Sequence, residues 1–300
     1  MLDFIKSIFG QKKKKEPVRM GVETAPLSEE QLQVVGKTII SLHPTQLAVG
    51  SAQSNGRQRD HNEDTLFSLT AVLADGVRDL PMGIFVIADG MGGHQMGEEA
   101  SSAAARMMVD YLINKFYLPI LGVDDEGMSE TIQEVMESGV REAHRAVQRQ
   151  APGGGTTLTA ALVLGEQVTM AHVGDSRAYF IYPDGQMKVI TKDHSYVQRL
   201  IELGQITEKE AQNHPQRNVL YRALGQAEPF RPDINTYEFP HPGYLMLCSD
   251  GLWGVVPEND IFRIISSNKN LSMACHQLVE AANAAGGPDN ISVILVDLLS

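Results

Sequence analysis

Cysteine is scarce: Cys248 and Cys275 are the two thiols in 300 residues. Both lie in apolar surroundings without metal-site spacing, so a disulfide framework or a thiolate zinc site is not expected; two buried, reduced thiols are. No run approaches the roughly 20 apolar residues that span a bilayer. No charged, apolar and cleavable regions follow one another at the N-terminus, so no secretory leader is expected and a cytoplasmic location is. Basic residues are outnumbered, 25 Lys and Arg against 37 Asp and Glu, for a net charge of −12. An acidic surface repels phosphate backbones, which argues against a nucleic-acid partner.

What is present is apolar material, 43% of the chain, enough for one large core or two small ones. The charge is uneven. Residues 1–20 carry six basic side chains against Asp3 and Glu16, a balance of +4 that leaves −16 for the rest. Leu2, Ile5, Ile8 and Phe9 fall near one face of a short helix ahead of Lys12–Lys15. Residues 1–15 therefore read either as a weak peripheral contact with the inner membrane face or as a solvated tail. Pro17, Pro26 and Pro44, with few aromatics between them, extend this into a linker. The expected division is 1–45 as tail and linker and 46–300 as one domain, a monomer.

From Leu47 onward short β-type runs appear at 47–52, 83–88, 157–164, 168–173, 178–182, 186–190, 244–248 and 291–296. Two long helical patterns interrupt them, one after Gly97 and one from near Ser129; two more follow Glu258 and Ser272, with Gly286-Gly287 as a stop. Strands come in groups and so do helices. An α+β fold of antiparallel sheets faced by helix pairs is expected, not a regular βαβ winding. Residues 193–225 are polar and rich in Gln and His, and read as an insertion beside a site.

The acids fall in a pattern. Apolar runs end at Asp89-Gly90, at Gly174-Asp175-Ser176 and at Asp250-Gly251. Asp289-Asn290 stands at the mouth of the last strand, and Glu63-Asp64 precedes Thr65-Leu66-Phe67. Each case alone is an ordinary turn. If these strand ends converge, the carboxylates cannot all be charged without cations between them, and hard divalent ions such as Mg²⁺ or Mn²⁺ suit oxygen ligands. Such a pair makes a hydroxide near neutral pH and neutralises a phosphoryl group in transfer. Arg59 offers a bidentate fork for phosphate.

Arg59-Asp60-His61-Asn62-Glu63-Asp64, Asp89-Gly90-Met91-Gly92-Gly93-His94, Gly155-Thr156-Thr157, Gly174-Asp175-Ser176-Arg177, Ser249-Asp250-Gly251 and Asp289-Asn290 occur in an order that resembles the bacterial branch of the PP2C-type (PPM) protein phosphatases. The resemblance runs from about Leu47 to the C-terminus. It implies an α-β-β-α sandwich and metal-dependent hydrolysis of phosphoserine and phosphothreonine in proteins by a metal-activated water. By matching positions it implies that Asp89 bridges two metals, that Asp250 and Asp289 complete the first, and that Glu63 and the Gly90 carbonyl help hold the second. Asp175 with Asp250 resembles the pair for a third, weaker metal. Arg59 resembles the substrate-phosphate residue, Asp64 a group that orders metal-bound water, and 193–225 the flap. In the eukaryotic branch a histidine follows the Asp-Gly pair directly; here Met91 takes that place and His94, three residues on, is the candidate general acid. Asn290 is expected to support the turn that aims Asp289, and Thr156 and Thr157 read as strand entry.

A different two-metal phosphohydrolase needs His and Asn ligands after paired Gly-Asp motifs, and those are missing. A cysteine phosphatase needs an arginine six residues after its cysteine, and Cys248 and Cys275 have none there. A catalytically inactive phosphopeptide-binding module would be expected to have lost metal acids, and every matching acid is present.

Overall fold

The computed structural model describes residues 45–74, 79–93, 95–122, 130–226 and 230–299. The N-terminal segment 1–44, with the 1–15 contact expected in it, and His94 lie outside the described residues.

Among the described residues eleven strands form two antiparallel sheets. The first is ordered β1 (Gln46–Ser54), β11 (Ile291–Leu299), β10 (Tyr244–Cys248), β7 (Arg177–Ile181), β8 (Met187–Val189). The second is ordered β2 (Asp64–Ala74), β3 (Asp79–Met91), β5 (Leu158–Leu164), β6 (Gln167–Val173), β9 (Asp233–Glu238), with the two-residue β4 (Gly155–Thr156) on the end of β3. Helices α1 (Gln95–Leu112) and α2 (Ile132–Gln150) pair on the second sheet's side; α3 (Glu258–Ser267) and α4 (Leu271–Ala284) cover the first.

The central strands are apolar along their whole length because both faces are covered. In β3, Ile84, Val86 and Ala88 face α1 and α2, while Phe85 and Ile87 point between the sheets. There they meet Ala161, Val163, Phe180, Leu245, Leu247, Ile294 and Val296. The helices bury one stripe each: Ala100, Ala104, Met108 and Leu112 on α1, Val135, Met136, Val140, Ala143 and Val147 on α2. Thr131 and Glu134 close a capping box that starts α2.

This is the expected α+β sandwich. Two strands carried little signal. β9, Asp-Ile-Asn-Thr-Tyr-Glu, is an exposed edge with no apolar run; β2 is half-exposed over most of its length, and only its first turn of residues had been visible as strand-like.

Candidate active site

The expected acids meet at one end of the two sheets. In the β2–β3 ladder Asp64 stands opposite Asp89, so two strands deliver their acids side by side. Past Glu63 the pairing continues, with the Gly90 N–H donating to the Glu63 carbonyl at 3.1 Å. The other sheet brings Asp250 and Asp289 to the same place: the Ser249 N–H donates to the Ser292 carbonyl at 3.0 Å, joining the exit of β10 to the entry of β11.

Neutral groups hold these turns. Asn290 accepts the Glu63 N–H on Oδ1 at 2.8 Å and donates from Nδ2 to the carbonyls of Asn55 (3.0 Å) and His61 (2.8 Å). Its own N–H donates to Asp289 Oδ1 at 2.9 Å. One buried amide thus fixes the Arg59–Glu63 loop and the Asp289 turn together. The Thr157 hydroxyl accepts the Asp89 N–H at 2.9 Å, and the Thr156 hydroxyl and Thr157 N–H both donate to the Asp89 carbonyl at 2.8 and 2.9 Å. Ser249 and Ser292 donate to Asp64 Oδ2 at 2.9 and 2.6 Å. Gly97 leaves the room that Glu63 fills: a Cβ there would overlap Glu63 Oε2.

Burial and mutual repulsion push the carboxyls upward. Burial raises Asp64 to about 7 against the lowering effect of its two serine donors. Asp250 rises to about 6, first by burial and then by Asp289, with a hydrogen bond from Asp89 in partial offset. Asp89 and Asp175 rise well above the ordinary carboxylate range; burial leads in both, followed by neighbouring acids. Asp89 and Asp250 are partly open at the mouth yet closely ringed by protein atoms. Arg59, half-exposed, reaches across to Asp289 Oδ2 at 2.8 Å.

The donors suit a hard cation in chemistry: they are carboxylate and carbonyl oxygens, and the buried Asp64 Oδ1 has no hydrogen-bond partner. Among the described residues no three acid, histidine or cysteine side chains are already gathered around one ion-sized point. Carboxylates without a cation between them repel, and Asp289 is turned to Arg59 and Asp64 to its serines. The backbone therefore brings the acids to one place without gathering their side chains around one point.

The cysteine route is closed by structure as well. Cys248 and Cys275 are buried, and burial pushes both thiols up to about 12, where no thiolate nucleophile forms near neutral pH.

Thr156 and Thr157 do more than open a strand, and Ser249, Ser292 and Gly97 carry contacts that no sequence motif assigns to them. Their partners lie far away in sequence, 228 positions for Ser292 with Asp64. Adjacency to a motif acid was the one available signal.

A phosphohydrolase whose chemistry runs on clustered oxygen donors rather than on a cysteine is the class that this fold and site define. The family model described as "Protein phosphatase 2C" matches residues 48–291. A serine/threonine phosphatase, stp, of Listeria innocua is 38% identical over 242 residues, 81% of this chain and 92% of its own. The crystal structure of the serine/threonine phosphatase PstP/Ppp of Mycobacterium tuberculosis superposes with a TM-score of 0.68 at 32% identity, over 85% of this chain and 99% of that one. A PstP catalytic domain in complex with two manganese ions gives 0.65 at 30%, over 85% and 99%. The chain belongs to the protein phosphatase 2C family. It is a protein serine/threonine phosphatase.

Proposed function

We propose that the chain hydrolyses phosphoserine and phosphothreonine esters in proteins with Mn²⁺ or Mg²⁺ held by Asp89, Asp250, Asp289, Glu63 and the Gly90 carbonyl, and that Asp175 with Asp250 takes a third, weaker ion. One observation carries this reading: acids from both sheets are brought to one end of the sandwich, where burial and mutual repulsion raise their proton affinity. The manganese pair bound by PstP supports it. When bound, such ions supply a hydroxide nucleophile near neutral pH and neutralise the phosphoryl oxygens.

The chain's own residues do the rest. Arg59 leaves Asp289 to take the substrate phosphate in a bidentate, charge-assisted contact. Asp64, pinned through Oδ2 by two serines, keeps Oδ1 free to order water at the ions. Asn290 holds the Arg59 loop in register with Asp289, so phosphate contact and ion site move as one unit. His94 is the proposed proton donor to the departing alkoxide, a role that rests on its position after Asp89-Gly90.

Phosphoproteins are the substrates. No described helix is long and apolar enough to cross a membrane. The basic, amphipathic segment 1–15 is proposed as a weak contact with anionic membrane, on a domain that is otherwise monomeric; co-sedimentation of the full chain with anionic vesicles, absent after removal of residues 1–44, tests that. The enzymatic reading is tested by phosphate release from a phosphothreonine peptide. Release should vanish in chelator and return with Mn²⁺. Undiminished turnover by the chelated, metal-free protein would defeat it.

A further inference from the structure

Asp175 sits on the turn between β6 and β7, and that turn is gripped from every side. Gly174 has φ +109°, a left-handed conformation that favours glycine, and a Cβ there would meet the Thr157 side chain at 2.5 Å. Behind the turn, the Thr157 hydroxyl bonds the Ser176 hydroxyl at 2.8 Å and Thr159 donates to the Ser176 carbonyl at 3.0 Å. From β10's exit, the Trp253 indole N–H donates to the Asp175 carbonyl at 3.1 Å, and Arg177 lies 3.5 Å over the Trp253 ring.

The remaining contacts come from two consecutive residues at the start of the 193–225 insertion. Asp193 accepts a fork from Arg177, with Nη2 at 2.7 Å and Nε at 3.0 and 3.3 Å. His194 takes the other shoulder: its N–H donates to the Gly174 carbonyl at 2.7 Å, and its Nδ1 accepts the Gly174 N–H at 3.1 Å. An Nδ1 that accepts carries no proton. The imidazole proton is then on Nε2, where it meets Asp233 Oδ2 at 3.2 Å; Arg222 Nη1, 3.0 Å from the same nitrogen, is a donor that Nε2 cannot accept, so Arg222 reaches the ring through Asp233. Asp233 also accepts from Arg222 Nη1 at 2.8 Å. These contacts, that from His194 foremost, push Asp233 down to about 2. Arg222 lies at the far end of the insertion, so both ends of the insertion meet on one imidazole that is 1% exposed.

We propose that His194 is a positioning residue: through its Nδ1 contact with Gly174, backed by Asp233 and Arg222, it fixes the turn that aims Asp175, and so ties the seating of the 193–225 insertion to ion binding at that acid. This rests on the reading of Asp175 as a cation ligand. Arg222 and Asp233 act through His194. A second-sphere partner of this kind is worth roughly 10- to 100-fold in metal affinity.

Two amide substitutions separate the two ends of the ring. Asparagine places an acceptor near the position of Nδ1 and cannot reach Asp233; glutamine places a donor near Nε2 and has no acceptor for Gly174. Mn²⁺-activation curves are measured on the full chain with an aryl phosphate for wild type, Asp175→Ala, His194→Asn, His194→Gln and the Asp175→Ala/His194→Gln double variant, each with its melting temperature. The expected result is a roughly tenfold or larger rise in the Mn²⁺ needed for half-activation in His194→Gln, a smaller rise in His194→Asn, which keeps the Gly174 contact and loses its backing by Asp233, and no added effect of His194→Gln on Asp175→Ala. Multiplying effects in the double variant, or equal loss in both His194 variants in step with their melting temperatures, would reduce His194 to a core histidine while leaving Asp175 as a ligand. A wild-type activation curve for Asp175→Ala would remove Asp175 from ion binding and this inference with it.

Discussion

At the scale of single residues, the site is built as much by what is omitted as by what is supplied. Gly97 lies in the first turn of α1, where alanine would ordinarily stabilise a helix by roughly 0.5–1 kcal/mol. Here the added methyl would take the place of a Glu63 carboxylate oxygen, the far end of a movable side chain, and would press on the Gly90 backbone carbon at 3.2 Å, which offsets part of that gain. Gly97→Ala should therefore leave the melting temperature unchanged or slightly higher, while the Mn²⁺ requirement rises severalfold. A fall in stability with unchanged Mn²⁺ dependence would show that the helix, and not Glu63, needs the glycine. The motif acids were legible because each stands at an end of an apolar run, Asp89, Asp175 and Asp250 at the exit and Glu63, Asp64 and Asp289 at the entry. Gly97, Ser249, Ser292 and the fourfold bonding of Asn290 were not, because nothing local marks a side chain whose partners arrive from the other sheet.

At the scale of elements, each sheet presents its acids on turns locked by hydroxyls. Thr157 is the junction: it accepts the Asp89 N–H and also bonds Ser176, so the ends of β3 and β7 are tied through one side chain. Thr157→Val keeps the volume and leaves those buried groups short of a partner. It should cost about 1–3 kcal/mol in denaturant unfolding and slow turnover together; a neutral effect on both would show the strand ends to be held by packing alone. The elements legible in sequence were the strands with an apolar or alternating run, β1, β3, β5, β6, β7, β8, β10 and β11, and the four amphipathic helices. β9 was missed because an edge strand with one wet face needs little apolar residue, and its place was set by pairing with β6 over residues 233–238. The segment after Lys192 stands out in sequence by its polarity. Its attachment at Gly174, through His194, and at Thr156, through Leu224, is a tertiary fact that composition does not carry.

At the scale of the whole molecule, ion binding and stability are linked. Asp64, raised to about 7, and Asp250, raised to about 6, bind protons more tightly in the folded chain than in the unfolded one. Between about pH 4 and pH 7 the metal-free folded state therefore holds more protons than the unfolded state, and its stability falls as pH rises through that window. Under the proposed ion binding the preference reverses, since a cation is held by deprotonated acids. The metal-free protein should lose melting temperature from pH 5 to pH 7.5 relative to Asp64→Asn, and the stabilisation by Mn²⁺ should be larger at pH 7.5 than at pH 5. Parallel pH profiles for the two proteins would mean that Asp64 ionises as an ordinary surface carboxylate.

The central claim is that acids from both sheets jointly hold the ions on which turnover depends, with Asp250 shared between sites and Asp175 serving the weaker one alone. Calorimetric Mn²⁺ titration of Asp250→Ala and Asp175→Ala, paired with kcat on a phosphothreonine peptide, tests it directly. The account predicts that Asp250→Ala loses tight binding and turnover together, whereas Asp175→Ala keeps the tight sites and turns over slowly. Equal loss of tight sites in both variants, or wild-type turnover by Asp250→Ala, would contradict it.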